Sequence, residues 1–133
     1  MIQLEQLRKL NQMLLSEQPQ YQEQAADFPL ELQSQWRLFR SLVNVREPKS
    51  VDRAFLELQD NLLKEMIAER GITKMSSLTP LQENIYLWQG DITTLQVDGI
   101  VNAANSGMTG CYCPCHGCID NAIHTFAGVQ LRL

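Results

Sequence analysis

Four cysteines fall between Cys111 and Cys118, and none precedes them. A disulfide framework spreads its thiols to close long loops, whereas the ligands of a single ion cluster, so these residues read first as metal-binding thiols of a reduced protein. Cys115 and Cys118 also form a CxxC, the spacing of a redox pair, but no βαβ pattern precedes it in the thioredoxin manner. Around the cluster stand other groups able to do chemistry. Asn102 and Asn105 end an apolar stretch, the kind of position where open α/β sheets gather ligands. Gly107 and Gly110 permit the left-handed or close-approach backbone of a phosphate-hugging loop, and equally that of a simple turn. Asp91 follows Gly90 and is placed to cap the next turn. Asp120 lies two residues past Cys118, at the start of a helical stretch, where a carboxylate is favoured by the helix dipole by about 0.3–1 kcal/mol and can point back toward the same loop. His124, one helical turn further on, reads as a packed or supporting imidazole rather than a ligand.

The elements that must position these groups divide the chain in two. All but four of its charged side chains precede Asn84, and the remainder holds only Asp91, Asp98, Asp120 and Arg132. In the first region Leu4, Leu7, Leu10 and Leu14 share a helical face. Leu32, Trp36, Phe39 and Val43 predict a second helix with Pro29 in its first turn, and Phe55, Leu58, Leu62 and Met66 a third, capped near Ser50 and stopped at Gly71. The periodicity is lost from Ile72 to Pro80, which places a boundary there, with a helical extension over 1–80 and a second unit over 84–133. In the latter, Ile85–Trp88 reads as a short apolar run before a Gly-Asp turn, Gly99–Ala103 as an inner strand buried on both faces, and Ile119–Ala127 as a helix ended by Gly128. That order suggests the start of a layered α/β domain.

The stretch GDITTLQVDGIVNAANSGMTGC, followed by HGCIDNAIHTFAG, resembles the opening half of a macrodomain. Its loop, GCYCPCHGCIDN, is similar to that of the zinc-containing bacterial subgroup, whose pattern is Cys, four residues, His, one residue, Cys, then Ile-Asp-Asn. The resemblance implies a three-layer α/β macrodomain preceded by an α-helical extension. It also implies one zinc ion on Cys111, His116 and Cys118, with a fourth position open to water or substrate as in catalytic zinc sites. Metal binding by Cys113 or Cys115 stays open at this point, since either would close that position. By the same resemblance Asp91 accepts from the adenine amino group of ADP-ribose with help from the Ile92 amide, Asn105 bonds the distal ribose, and Gly107 and Gly110 shape the phosphate loop, while Asn102 ties the loop to its own backbone. Asp120 then orients water at the anomeric carbon, and zinc with Asp120 and Asn105 forms the implied catalytic centre. The implied function is zinc-dependent hydrolysis of ADP-ribose from acidic side chains of mono-ADP-ribosylated proteins. Two alternatives are a macrodomain that binds ADP-ribose without cleaving it and a small zinc-stabilised interaction module. A macrodomain continues beyond its first helix with further strands and a second phosphate loop, so the resemblance implies that this chain is truncated after its first strands and helix.

Composition bounds the partners. A chain of 133 residues with 44% hydrophobic content buries one modest core, and a net charge of -4 with a pI near 5.1 leaves no cationic surplus for general nucleic-acid binding. A small anion is still accessible through backbone amides. No apolar run reaches the roughly 18 residues of a membrane span, and Met1 to Leu15 lacks a signal core, so a cytoplasmic protein is expected.

Overall fold

The leucines that recur every three or four residues at the start of the chain form the first helix of the computed structural model, which describes residues 2–133. Helix α1 (Leu4–Glu17) buries Leu7, Leu10 and Leu14. A 3-10 turn at Pro19–Tyr21 and the short α2 (Gln22–Ala25) bring the chain back to α3 (Leu32–Val45), which lies against α1 and buries Leu38, Phe39, Leu42 and Val43. Pro29 stands ahead of this helix rather than in its first turn. Its carbonyl accepts from Gln35 Nε2 at 3.0 Å, so it shapes the chain entering α3.

Helix α4 (Arg53–Arg70) is capped by Asp52, whose carboxylate accepts from the Ala54 amide, and not by the expected Ser50. The reason is Arg46. Its buried guanidinium pairs with Glu17 and donates to the carbonyls of Lys49 and Ser50, drawing that segment around itself before the helix can start. Phe55 and Leu62 of α4 complete a single apolar cluster with α1 and α3, which Val129 joins from beyond the last helix. Each fully buried Leu or Phe in it contributes about 1.5–3 kcal/mol, which makes this cluster the main source of stability.

The second half is mixed α/β. Strand β1 (Thr73–Lys74) runs parallel to β4 (Leu95–Gln96), and β2 (Pro80–Gln82) pairs antiparallel with β3 (Ile85–Tyr86) through a turn that holds Asn84 at φ 60°. Gly99–Ala103 departs from expectation. Its backbone joins no strand pair, and Val101 is 89% exposed, so it is not an inner strand. A strand exists only by pairing, and neither two-stranded sheet among the described residues reaches this segment. Helix α5 (Ile119–Ala127) forms as the sequence predicts and ends at Gly128. There φ is +95°, and an added Cβ would collide with the side chains of Gln59 and Gln130. Fully buried Gln59 of α4 accepts from the Val129 amide, fixing the end of α5, while Trp36 of α3 stacks on Phe126 with ring centroids 5.9 Å apart. Among the described residues no helix is long and apolar enough to cross a membrane.

Candidate functional site

The cysteine loop runs directly into α5. Cys118 is the N-cap residue of that helix, and its sulfur accepts from the Asn121 amide at 3.4 Å. Cys111 Sγ lies 3.5 Å from His116 Nδ1, and the ligand atoms of Cys111, His116 and Cys118 all fall within 4.8 Å of one another. Tetrahedral zinc with Zn–S bonds of about 2.3 Å and Zn–N bonds of about 2.0–2.1 Å separates its donors by about 3.6–3.8 Å. The Cys111–His116 pair already has that spacing, and the widest pair closes to it by about 1 Å. Two thiols and an imidazole are also the donor types zinc takes, so these residues fit the ion. His116 is exposed and both thiols are half-buried, which leaves one side open.

The other two cysteines lie outside the group. Cys113 is exposed, whereas Cys115 turns toward α3, its sulfur 3.3 Å from Ser41 Oγ and 3.5 Å from the Arg37 carbonyl. Cys115 has φ +54°, in the left-handed region that non-glycine residues adopt infrequently.

Around Cys115 lies a polar network between α3 and α5. Arg40 donates through Nε and a terminal nitrogen to Asn121 Oδ1, and through the same terminal nitrogen to the His116 carbonyl at 3.1 Å. Asn44 accepts from the Cys115 amide at 2.9 Å and from Asn121 Nδ2 at 3.0 Å, and donates to Thr125 Oγ1. Asn121 also donates to the Cys113 carbonyl. Arg132 donates to the carbonyls of Asn44, Arg46 and Cys111, and its guanidinium lies over the Tyr112 ring. Asn44, Asn121 and Thr125 are almost wholly buried, so the bonds among these three form away from competing water.

Asp120, also buried, accepts from Asn102 Nδ2 at 2.8 Å and lies 3.5 Å from His124 Nε2. Asn102 thus reaches across 18 residues to the carboxylate instead of binding its own loop. That task falls to Asn105, which accepts from the Gly107 amide and donates to the Gly110 carbonyl. Gly110 has φ +102°, and an added Cβ would come within 2.9 Å of the His124 ring. Burial, with the nearby Arg132 charge adding to it, pushes the His124 imidazole below its usual pKa against the opposing pull of Asp120, so His124 favours the neutral form.

Asp91 lies apart from this group. Burial raises its pKa, but hydrogen bonds from the Thr93 hydroxyl and amide and the adjacent Arg70 guanidinium outweigh it and hold the carboxylate below the usual range. Asp91 therefore caps the 3-10 turn at Ile92–Thr94. Ile92 borders a hollow of about 290 Å³, whose walls include Leu95, Ile100, Ile123 and Phe126. That volume is near the lower bound of small-molecule sites.

Arg40, Asn44, Asn121 and Arg132 were not singled out from the sequence as site residues. The available signal was Arg40 and Asn44 one turn apart beside the apolar stripe of α3, where a polar pair needs a partner.

No protein-family model matches the chain. It is 54% identical over 123 residues to a protein of Treponema medium named protein-ADP-ribose hydrolase, an alignment covering 90% of this chain and 46% of that protein. A Staphylococcus aureus protein of the same name is 47% identical over 106 residues, covering 79% of this chain and 40% of the relative. The chain is therefore similar over most of its length to proteins named protein-ADP-ribose hydrolase, and it spans less than half the length of either relative.

Proposed function

We propose that this chain carries the metal loop and part of the ligand site of a zinc-containing macrodomain, and that the protein to which it corresponds removes ADP-ribose from acidic side chains of modified proteins. The observation that carries the reading is the convergence of Cys111, His116 and Cys118, with buried Asp120 two residues further along the chain, in a sequence similar to proteins named protein-ADP-ribose hydrolase.

Each residue has a role in the proposal. Asp91, already fixed by Thr93 and Arg70, keeps lone-pair capacity for the adenine amino group, and the Ile92 amide lies at the same turn. Gly107 and Gly110 give the phosphate loop its close approach, and Asn105, which holds that loop, bonds the distal ribose. Asp120, steadied by Asn102, orients the water that attacks the anomeric carbon, where positive charge develops as the glycosidic bond breaks. Cys111, His116 and Cys118 would hold the zinc ion, which would supply Lewis-acid polarisation at this position. A catalytic role for the loop distinguishes this reading from a module that only recognises ADP-ribose, which needs neither a metal nor a buried carboxylate.

The test uses a chain extended to the full length of its relatives. Release of ADP-ribose from a mono-ADP-ribosylated protein is measured for the parent and for Cys118→Ala, with metal content determined in parallel. Loss of zinc together with a fall in release of at least about 100-fold is expected. Unchanged release after loss of zinc makes the ion structural, and absence of any ADP-ribose binding by calorimetry removes the macrodomain reading.

A further inference from the structure

We infer that α3 pre-forms the metal loop, with Arg40 and Asn44 as its positioning residues; the inference rests on the reading of Cys111, His116 and Cys118 as a metal site. The loop has no regular structure of its own, and its turn depends on Cys115 at φ +54°. Three of its backbone groups are held from outside: the Cys115 amide by Asn44, the His116 carbonyl by Arg40, and the Cys113 carbonyl by Asn121, whose amide is itself clamped between Arg40 and Asn44. These are the residues between the first ligand and the last, so the same contacts that impose the turn also set where the His116 imidazole sits relative to the two thiols. The Cys115 sulfur, turned to Ser41 and the Arg37 carbonyl, acts as a further anchor and is thereby kept from competing for the ion.

Small metal knuckles have no preformed site and spend part of their binding free energy on folding. A loop shaped beforehand by α3 avoids that cost, and removing the shaping residues returns it. The effect therefore appears in metal affinity, which a purely structural role for α3 leaves unchanged.

Zinc affinity of the 133-residue chain is measured by competition with a chromophoric chelator, with cobalt(II) spectra reporting thiolate coordination. Arg40→Ala and Asn44→Ala are expected to weaken zinc binding by roughly 10- to 100-fold, the usual cost of losing an outer partner of a metal site, while the thiolate-to-cobalt bands keep their position at saturation. Arg40→Lys, which retains a donor for the His116 carbonyl, recovers most of the loss, and Arg53→Ala on the exposed flank of α4 leaves affinity unchanged. Arg40 is accessible from solvent, so its variants decide the matter if Asn44→Ala does not fold. If Arg40→Ala binds zinc as tightly as the parent while Cys118→Ala does not bind, the positioning role is wrong and the metal site stands. If the parent shows no thiolate bands with cobalt, both are wrong.

Discussion

Asn121→Ala tests the network that joins the loop to the helices. The side chain is fully buried, and its amide accepts from both Arg40 nitrogens and from Thr125 Oγ1 while donating to Asn44 Oδ1 and the Cys113 carbonyl. Truncation leaves each partner side chain with another bond, although the Arg40 Nε–H loses its acceptor. Asn44 Oδ1 keeps the Cys115 amide, Thr125 keeps Asn44, and Arg40 keeps the His116 carbonyl. The cost is therefore that of lost bonds: about 1 kcal/mol for each of the three neutral ones and about 1.5–3 kcal/mol for the guanidinium, or about 4.5–6 kcal/mol in all. With an unfolding entropy of about 2.1 cal/mol/K per residue, about 0.28 kcal/mol/K for this chain, the melting temperature falls by about 16–21 °C. The assay is thermal unfolding followed by circular dichroism in the presence of a chelator, so that metal binding does not contribute. Asn121→Asp sharpens the test, since it keeps an oxygen toward Arg40 but sets another against Asn44 Oδ1 and the Cys113 carbonyl. It too is expected to lose at least about 2 kcal/mol. A melting temperature within about 3 °C of the parent for both variants refutes the argument that this network shapes the loop.

Gly110→Ala forces a side chain onto a backbone at φ +102° and against His124 and Arg132, at a cost of about 1–3 kcal/mol, or about 4–11 °C in melting temperature by the same scale; a neutral result in the same melt contradicts the close approach. His124→Phe tests the sign of a pH effect. A folded-state pKa below the unfolded value means that the folded protein binds fewer protons, so the stability His124 contributes is present above about pH 6.5 and is lost as pH falls toward the lowered value. Melts of metal-free protein between pH 7.5 and 5.5 should show a smaller decline for the variant than for the parent, and parallel declines count against the burial of a neutral imidazole.

The helices were legible because their cores repeat: Leu7, Leu10 and Leu14, or Phe55 and Leu62, name a face without knowledge of its partner. The start of α4 was not, because the cap is displaced by Arg46 gathering the carbonyls of Lys49 and Ser50, a contact that propensity does not contain. Gly99–Ala103 was misplaced for a related reason. Gly99, Ile100, Val101 and Ala103 establish an apolar segment, but a strand is a property of pairs, and the pairing is not written in the segment. At the site, the convergence of Cys111, His116 and Cys118 was foreseeable from their pattern, while the exclusion of Cys115 was not. What excludes it is Ser41 and Arg37, more than seventy positions away in the chain.

That distance bears on how the two halves of the sequence relate. The charge distribution separates a polar helical region from a nearly uncharged remainder, and a solvated layer laid over an independent domain would have produced the same contrast. The contacts point elsewhere. Gln59 of α4 holds the Val129 amide, Asn44 of α3 holds Asn121 and the Cys115 amide, and Arg132, near the last residue, returns to the carbonyls of Asn44 and Arg46. In each case one partner is a buried polar group that only the other half can satisfy, and leaving such a group unpaired costs about 1–3 kcal/mol. A mere cover is held by apolar area, which tolerates sliding and replacement. Directional bonds to specific amides and carbonyls do not tolerate it, and a turn such as that at Cys115, unfavourable on its own, persists only where they are made. The helical region is therefore part of what gives the cysteine loop its shape, through Arg37, Arg40, Ser41 and Asn44 of α3.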